Sequence, residues 1–460
     1  MNTLIKQGTI ITSSDIFRGD VYIEDDKIFA IAEQIDLPEG KSDEVDQIIN
    51  AEGKYVIPGG IDVHTHFQLP VMGTVSADTF ESGSKAGACG GITTFIDFAH
   101  QVPGESALKA INDRLKEAEG NCFIDYGLHL GITDFKTGIQ EEMPEFIEMG
   151  IPSFKLYMVY PGLMSNDAVI LAMLRAIKDL GGLIIIHAEN AAIIDYLIAK
   201  NIKEGRTDIT AHPLSRPDFT ETEAVKRALY LTEVAGSRIY IVHMSTGESA
   251  AAVAEAKGRG VTAFAETCPQ YLIFTDDEYS KADGHLCSTS PPLRKAEDQT
   301  ALWKGLSMGA IQVVSTDTCS FTKAQKEAGR NDFTKLPGGI AGIETLMPLM
   351  HSEGVLKGRI SLNQWVELLS ANPAKMFGLY PSKGTLMPGS DADIVVFDPM
   401  MEYTIGPDTL HYNADYTPFD GMKVTGKPVL TMLRGKVIYR DGSFTGEKGY
   451  GKFVRRYYTP

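Results

Sequence analysis

Residues Ile151–Tyr160 read "IPSFKLYMVY". The run is apolar and aromatic apart from Ser153 and Lys155, which predicts a buried β-strand with a lysine at its centre. The stretch after it, "SNDAVILAMLRAIKDLGG", carries the helical period. Ile170, Met173, Leu174 and Ile177 fall on one face, Ser165 or Asn166 can cap its start, and Gly181 and Gly182 can end it. A second apolar run, "GLIIIHAEN", then completes a strand–helix–strand unit. Three further runs precede this unit: "GGIDVHTHF", "ITTFIDFA" and "FIDYGLHLGIT". Three follow it: "RIYIVHMS", "VTAFAETCPQYLIF" and "AIQVVSTDTCSF". Near-continuously apolar strands alternating with helices predict a buried parallel sheet, and eight units over ~260 residues predict a closed (β/α)8, TIM-like barrel in an α/β chain.

The ends of the chain differ in style. "TLIKQGTIIT" and "DVYIEDDKIFAIAE", the latter with an Asp-Asp turn, read as short strands, as do "ADIVVFDP" and "PVLTMLRGKVIYRDGSF". Chain termini often lie close together, so residues 1–55 and 385–460 are expected to form one small β-sandwich domain beside a barrel spanning 56–384. No Walker phosphate loop occurs, and no GxGxxG follows the first strand of the barrel.

The 460 residues suit one large barrel with an appendage, and 43% hydrophobic content can fill its core. A formal net charge of −17 disfavours a nucleic-acid partner. No apolar run approaches the ~18–20 residues of a membrane span. The N-terminus lacks a basic-then-apolar signal layout, so a cytoplasmic protein is expected. The five cysteines show no CxxC spacing and imply neither a disulfide framework nor a cysteine zinc site.

In such a barrel the functional side chains lie at the C-terminal ends of strands. Five of the eight strand ends carry a candidate ligand: His64 with His66, Lys155, His187, His243 and Asp317. Residues i and i+2 of a strand share a face, about 7 Å apart, so His64 and His66 can close on one metal. Each remaining residue alone reads as well as a core histidine, a helix cap or a snorkelling lysine; their joint placement at matching strand ends favours metal binding. Imidazole and carboxylate suit zinc and related divalent ions, and this many ligands exceeds the need of one catalytic zinc. An ammonium aimed at paired cations is driven towards its neutral amine. A neutral amine can take up carbon dioxide as a carbamate, whose two oxygens can face two metals. His100, His129, His212, His285, His351 and His411 match no ligand position and are read as ordinary core or surface residues.

Taken together, "VIPGGIDVHTHF", "SFKLYMVY", "IIHAEN", "YIVHMS", "ETCPQYL", "SPPLR", "KGTLMPGSDADIVVFDP" and "PFDGM" give a sequence that resembles the hydantoinase/dihydropyrimidinase family of cyclic amidohydrolases over nearly its whole length. The resemblance implies that a carboxylated Lys155 bridges two zinc ions, one held by His64, His66 and Asp317 and the other by His187 and His243. It implies a hydroxide between the metals, Asp317 as proton shuttle, Tyr160 as oxyanion donor, and the backbone at Ser290 and Gly338 as the grip on the amide edge of a cyclic ureide. A homotetramer is implied by the family alone. Two positions depart from the family pattern. Thr318 stands where histidine usually follows the catalytic aspartate, which removes a group expected to tune Asp317. Gly338 stands where asparagine is usual, and a looser loop is expected there.

Allantoinase and dihydroorotase are the nearest rivals. A dihydroorotase-like site is expected to place an arginine soon after the paired histidines, where this chain has Phe67, Gln68 and Leu69. A non-catalytic assembly protein of the same fold is a third reading, and retention of all six ligand positions argues against it.

Overall fold

The computed structural model describes residues 2–36, 45–135 and 138–458. Its centre is an eight-stranded sheet in which sequential strands are neighbours: β1 (Gly60–Thr65), β2 (Ile92–His100), β3 (Asp125–Gly131), β4 (Ser153–Tyr157), β5 (Leu183–His187), β6 (Arg238–Ile241), β7 (Thr262–Thr267) and β8 (Val313–Val314). Neighbouring strands pair in parallel throughout. The last strand meets the first through a parallel bridge between Thr65 and Thr318, with the His66 amide 2.8 Å from the Thr318 carbonyl. Thr316 adds to the seam by donating to the Asp62 carboxylate from its amide (3.2 Å) and its hydroxyl (2.5 Å). The sheet is thereby a closed cylinder, as the eight apolar runs predict. The strand in "AIQVVSTDTCSF" is shorter than its apolar character suggests, because Asp317 turns into left-handed backbone at φ +52°.

Alternation along the strands explains why the barrel has both a filled wall and a reactive mouth. In β5, Ile184 and Ile186 join the large core between sheet and helices. Leu183 and Ile185 join a second core with Tyr240, Val313 and Phe377, and His187 continues their side of the strand. In β4, Phe154 and Leu156 face the helix-side core, which leaves Ser153, Lys155 and Tyr157 on the opposite face. The helix between these strands spans Asp167–Lys178; the Asn166 side chain caps it by accepting from the Val169 amide at 3.0 Å, and Ile170, Met173, Leu174 and Ile177 are its buried face. Gly181 follows it at φ +73°, which L side chains rarely adopt.

The chain ends build a separate nine-stranded sheet. Its order runs Ser443–Phe444, Lys436–Arg440, Lys423–Leu433, Ile394–Thr404, Tyr55–Pro58, Thr3–Ile11, Ile16–Glu24, Lys27–Ala32, and Gln47–Asn50 also pairs with Thr3–Ile11. Asp25, at φ +53°, makes the Asp-Asp turn between two of these strands. The sheet has its own apolar core, including Ile5, Ile10, Val21, Val56, Ile394 and Met432. A buried ion cluster joins it to the barrel. The Lys383 ammonium lies 2.8 Å from Asp125, 3.0 Å from Asp391 and 2.6 Å from Asp393, and Arg434 pairs with Asp125 from the other side. The C-terminal segment then runs back along the barrel, where the fully buried Arg456 donates to the Leu128 carbonyl and, at 2.9 Å, to the Ser153 hydroxyl. No helix among the described residues is long and apolar enough to cross a membrane.

Candidate metal centre

The six predicted ligands converge at one end of the barrel. His64 is the penultimate residue of β1, His66 follows the strand, Lys155 lies within β4, His187 ends β5, and His243 and Asp317 lie just past β6 and β8. Nε2 of His64 and Nε2 of His66 each lie 3.1 Å from one Asp317 oxygen, and donor atoms of all three residues fall within 4.8 Å of one another. The four imidazoles form a chain, with ring centroids 5.1 Å apart from His66 to His64, 5.5 Å from His64 to His243 and 4.4 Å from His243 to His187. Lys155 is buried in the same place; its ammonium nitrogen is 5.4 Å from the Phe98 ring centre and 5.5 Å from that of Tyr157. Among the described residues Nζ of Lys155 takes part in no hydrogen bond or ion pair, an unusual state for a buried cation.

The electrostatics of the cluster suit ligand chemistry. Burial lowers the pKa of His64, His187 and His243, reinforced by the positive charge of Lys155, so these imidazoles are neutral and keep a lone pair. Burial also lowers the pKa of Lys155, against the pull of Glu266 and Asp317. Asp317 is affected oppositely: burial disfavours its charge, but hydrogen bonding to His66 and the positive charge of Lys155 help to hold its pKa below the usual carboxylate value. Three of the residues brought together have left-handed backbone, with φ of +78° at Tyr160, +36° at His243 and +52° at Asp317. Such conformations cost about 1–3 kcal/mol each in non-glycine residues and persist where surrounding structure imposes them, often at functional sites.

Two buried carboxylates that the reading of strand ends did not single out orient the rings. Glu266, on β7, bonds Nδ1 of His64, accepts from the Tyr240 hydroxyl at 2.8 Å and accepts from the His243 amide at 3.1 Å. It fixes the ring of His64 and the backbone of His243, one residue of each proposed ligand group, and leaves Nε2 of His64 facing the cluster. Glu189 bonds Nε2 of His187 at 2.6 Å and is neutralised by Arg216, whose guanidinium also lies 5.2 Å from the centre of the Tyr160 ring. Burial opposes ionisation of Glu189, but Arg216 and His187 hold its pKa at about 2. The signal for both was visible in "ETCPQYL" and "IIHAEN": a carboxylate at the polar end of an apolar strand, in Glu189 two residues beyond a ligand. Arg216 has no comparable signal, since only the fold brings it to Tyr160.

Tyr160 lies against His187 at 5.1 Å between ring centres and meets Ser290 and Arg216 through its hydroxyl. Burial raises its pKa, which keeps the phenol protonated and able to donate. Ser290 in turn neighbours Gly338, where an added Cβ would stand 3.1 Å from the serine hydroxyl. The three proposed substrate-binding residues are therefore contiguous. Thr318 is fully buried; its hydroxyl lies 2.6 Å from that of Thr316 and accepts from the Gly342 amide at 3.2 Å. The histidines set aside in the sequence each have a local partner: His129 bonds Ser153 and the Val63 carbonyl, His212 the Thr289 carbonyl, His285 Glu327, His351 the Thr425 carbonyl and His411 Glu344. His100 bonds the Tyr157 hydroxyl at 2.7 Å, close to His66.

Comparison with known proteins places the fold. The profile of the amidohydrolase family matches residues 55–438. The chain is 46% identical to the D-hydantoinase of Geobacillus stearothermophilus, covering 99% of this chain and 97% of that protein. It is 43% identical to the D-hydantoinase of Streptomyces coelicolor, covering 99% and 98% respectively. The crystal structure of dihydropyrimidinase from Brevibacillus agri NCHU1002 superposes with a TM-score of 0.97 at 41% identity, over 100% of both chains. A barrel closed from eight parallel units, with histidines, a lysine and an aspartate gathered at the ends of its strands, thus belongs to the amidohydrolase family, in its hydantoinase/dihydropyrimidinase branch.

Proposed function

We propose that this chain hydrolyses the ring amide of a cyclic ureide, with D-5-substituted hydantoins first and dihydropyrimidines second, to give N-carbamoyl amino acids or their β-homologues. The observation that carries the reading is the convergence of four imidazoles, an unpaired buried lysine and an ionised aspartate, in a chain 46% identical to a D-hydantoinase. These donors fit a pair of divalent cations. Three of the rings are neutral, as ligands must be, and Lys155 has no anion of its own.

His64, His66 and Asp317 would hold one cation, His187 and His243 the other, with zinc the first candidate. Lys155 would join them as a carbamate: its free amine forms an N–C bond with carbon dioxide and releases a proton. Cations held by these residues would supply hydroxide at neutral pH and would polarise the scissile carbonyl. The ionised Asp317 takes the proton of the attacking water and returns it to the departing ring nitrogen, which restores the aspartate, and the new carboxyl group ionises to release one proton per turnover at neutral pH. The protonated Tyr160 phenol donates to the oxygen on which negative charge develops. The backbone at Ser290 and Gly338 holds the amide edge of the ring.

Dihydroorotate is disfavoured as substrate. Phe67 is buried, and Arg216, the guanidinium beside Tyr160, is already neutralised by Glu189. A homotetramer is proposed from the family resemblance, and light scattering measures it. A hydrolysis screen of hydantoins, dihydrouracil, allantoin and dihydroorotate, run with metal quantification, tests the function. About two zinc per chain with turnover of hydantoins is expected. A folded protein without metal would instead support the assembly-protein reading, and a preference for dihydroorotate would overturn the substrate assignment.

A further inference from the structure

Lys326 is fully buried, yet no carboxylate among the described residues pairs with it. It lies at the foot of the loops proposed to bind substrate. Its ammonium donates to the Ser288 carbonyl at 3.1 Å, the Ser288 hydroxyl at 2.7 Å and the Pro337 carbonyl at 2.7 Å. Three donors thus meet three acceptors on two loops far apart in sequence. The Phe321 ring and the thiols of Cys319 and Cys287 make up the surroundings, and burial lowers the lysine pKa to about 7. An isolated buried cation is costly unless its bonds do something that an apolar residue cannot.

The position of those bonds supplies the reason. Pro337 has no amide hydrogen, so at this residue the backbone can be tied only through its carbonyl, which accepts from Lys326 and, at 3.3 Å, from the Ser288 hydroxyl. Gly339 donates its amide to the Ser288 carbonyl at 2.9 Å. Gly338 is therefore anchored on both sides although it has no side chain to fix its own conformation. We infer that Lys326 is a positioning residue for the ring substrate: it staples the Ser288–Ser290 turn to the Pro337–Gly339 turn and so sets the spacing of the two backbone segments that grip the amide edge. This rests on the assignment of Ser290 and Gly338 to substrate binding.

The test compares Lys326→Met, Lys326→Gln and Gly338→Ala with the parent, each as metal-loaded full-length chain, by steady-state hydrolysis of hydantoin and by zinc content. Lys326→Met is expected to raise KM about tenfold, the loss of one well-made hydrogen bond, with kcat within about threefold and zinc unchanged. Lys326→Gln, which keeps two N–H donors, is expected to recover part of that loss; a purely packing role would favour methionine instead. An unchanged KM in both lysine variants, or a fall in kcat alone, overturns the inference. If Lys326→Met does not fold, the KM of Lys326→Gln decides in the same way. Gly338→Ala pushes a methyl against Ser290. A raised KM there with unaffected lysine variants sinks the staple alone, whereas a KM unchanged in all three variants sinks the assignment of the binding edge as well.

Discussion

Replacing Glu266 by glutamine changes one atom type in a side chain that touches no substrate, yet it should weaken the metal centre. The carboxylate accepts from the Tyr240 hydroxyl and the His243 amide and bonds Nδ1 of His64, all within a fully buried site. A glutamine can keep an oxygen towards His64 only by turning its NH2 towards the Tyr240 hydroxyl, which then has no acceptor there. The bond to His64 also loses its charge. A hydrogen bond to a charged group contributes about 1.5–3 kcal/mol, and removing such an outer partner of a metal ligand typically costs 10–100-fold in affinity or activity. Burial already raises the Glu266 pKa, so the carboxylate is a burden to the protein without metal. Glu266→Gln is therefore expected to leave the melting temperature of the metal-free protein unchanged or higher, while weakening zinc about 10–100-fold in a chelator competition. Equal zinc affinity in variant and parent, or a metal-free variant that is strongly destabilised, would refute the view that Glu266 serves the ligands rather than the fold.

Other outcomes follow from the same geometry. Tyr160→Phe should lower kcat by ~10²–10³, the loss of one oxyanion donor, with zinc content unchanged; an unaffected kcat removes the phenol from the chemistry. Lys383→Met leaves Asp393 buried without a cation at the junction of barrel and terminal sheet, while Asp125 keeps Arg434 and Asp391 keeps Lys27, and should lower stability by about 3–5 kcal/mol in urea denaturation without altering metal affinity. Glu189→Gln should leave Arg216 uncompensated beside Tyr160, so that kcat falls while binding of the metal nearest His64 persists; loss of all metal would show that Glu189 supports the whole cluster.

The barrel was legible because its strands are buried on both faces, and continuous apolar runs such as "GLIIIHAEN" leave a clear trace. The Asn166 cap and the turn at Gly181 were legible because each depends on one residue's own chemistry. The convergence of the candidate ligands was legible for a related reason: His187 and Lys155 are polar side chains within or at the end of apolar strands. What escaped were partnerships created only by folding. Arg216 reaches Glu189 from 27 residues along the chain, and Lys326 reaches Ser288 and Pro337, with nothing in the local sequence to announce either. Thr318 reads in the sequence as a missing histidine; in the fold it is part of the seam that closes the barrel, bridged to Thr65 and Ile340 and bonded to Gly342.

The most direct test of the account is whether Lys155 carries a carbamate. Protein loaded with zinc in carbon-13-labelled bicarbonate should show one carbamate carbon resonance that is absent from Lys155→Met, whose zinc content and hydantoin turnover should both collapse. A fully metallated, active enzyme with no such resonance, or a Lys155→Met variant that keeps its zinc, would contradict it.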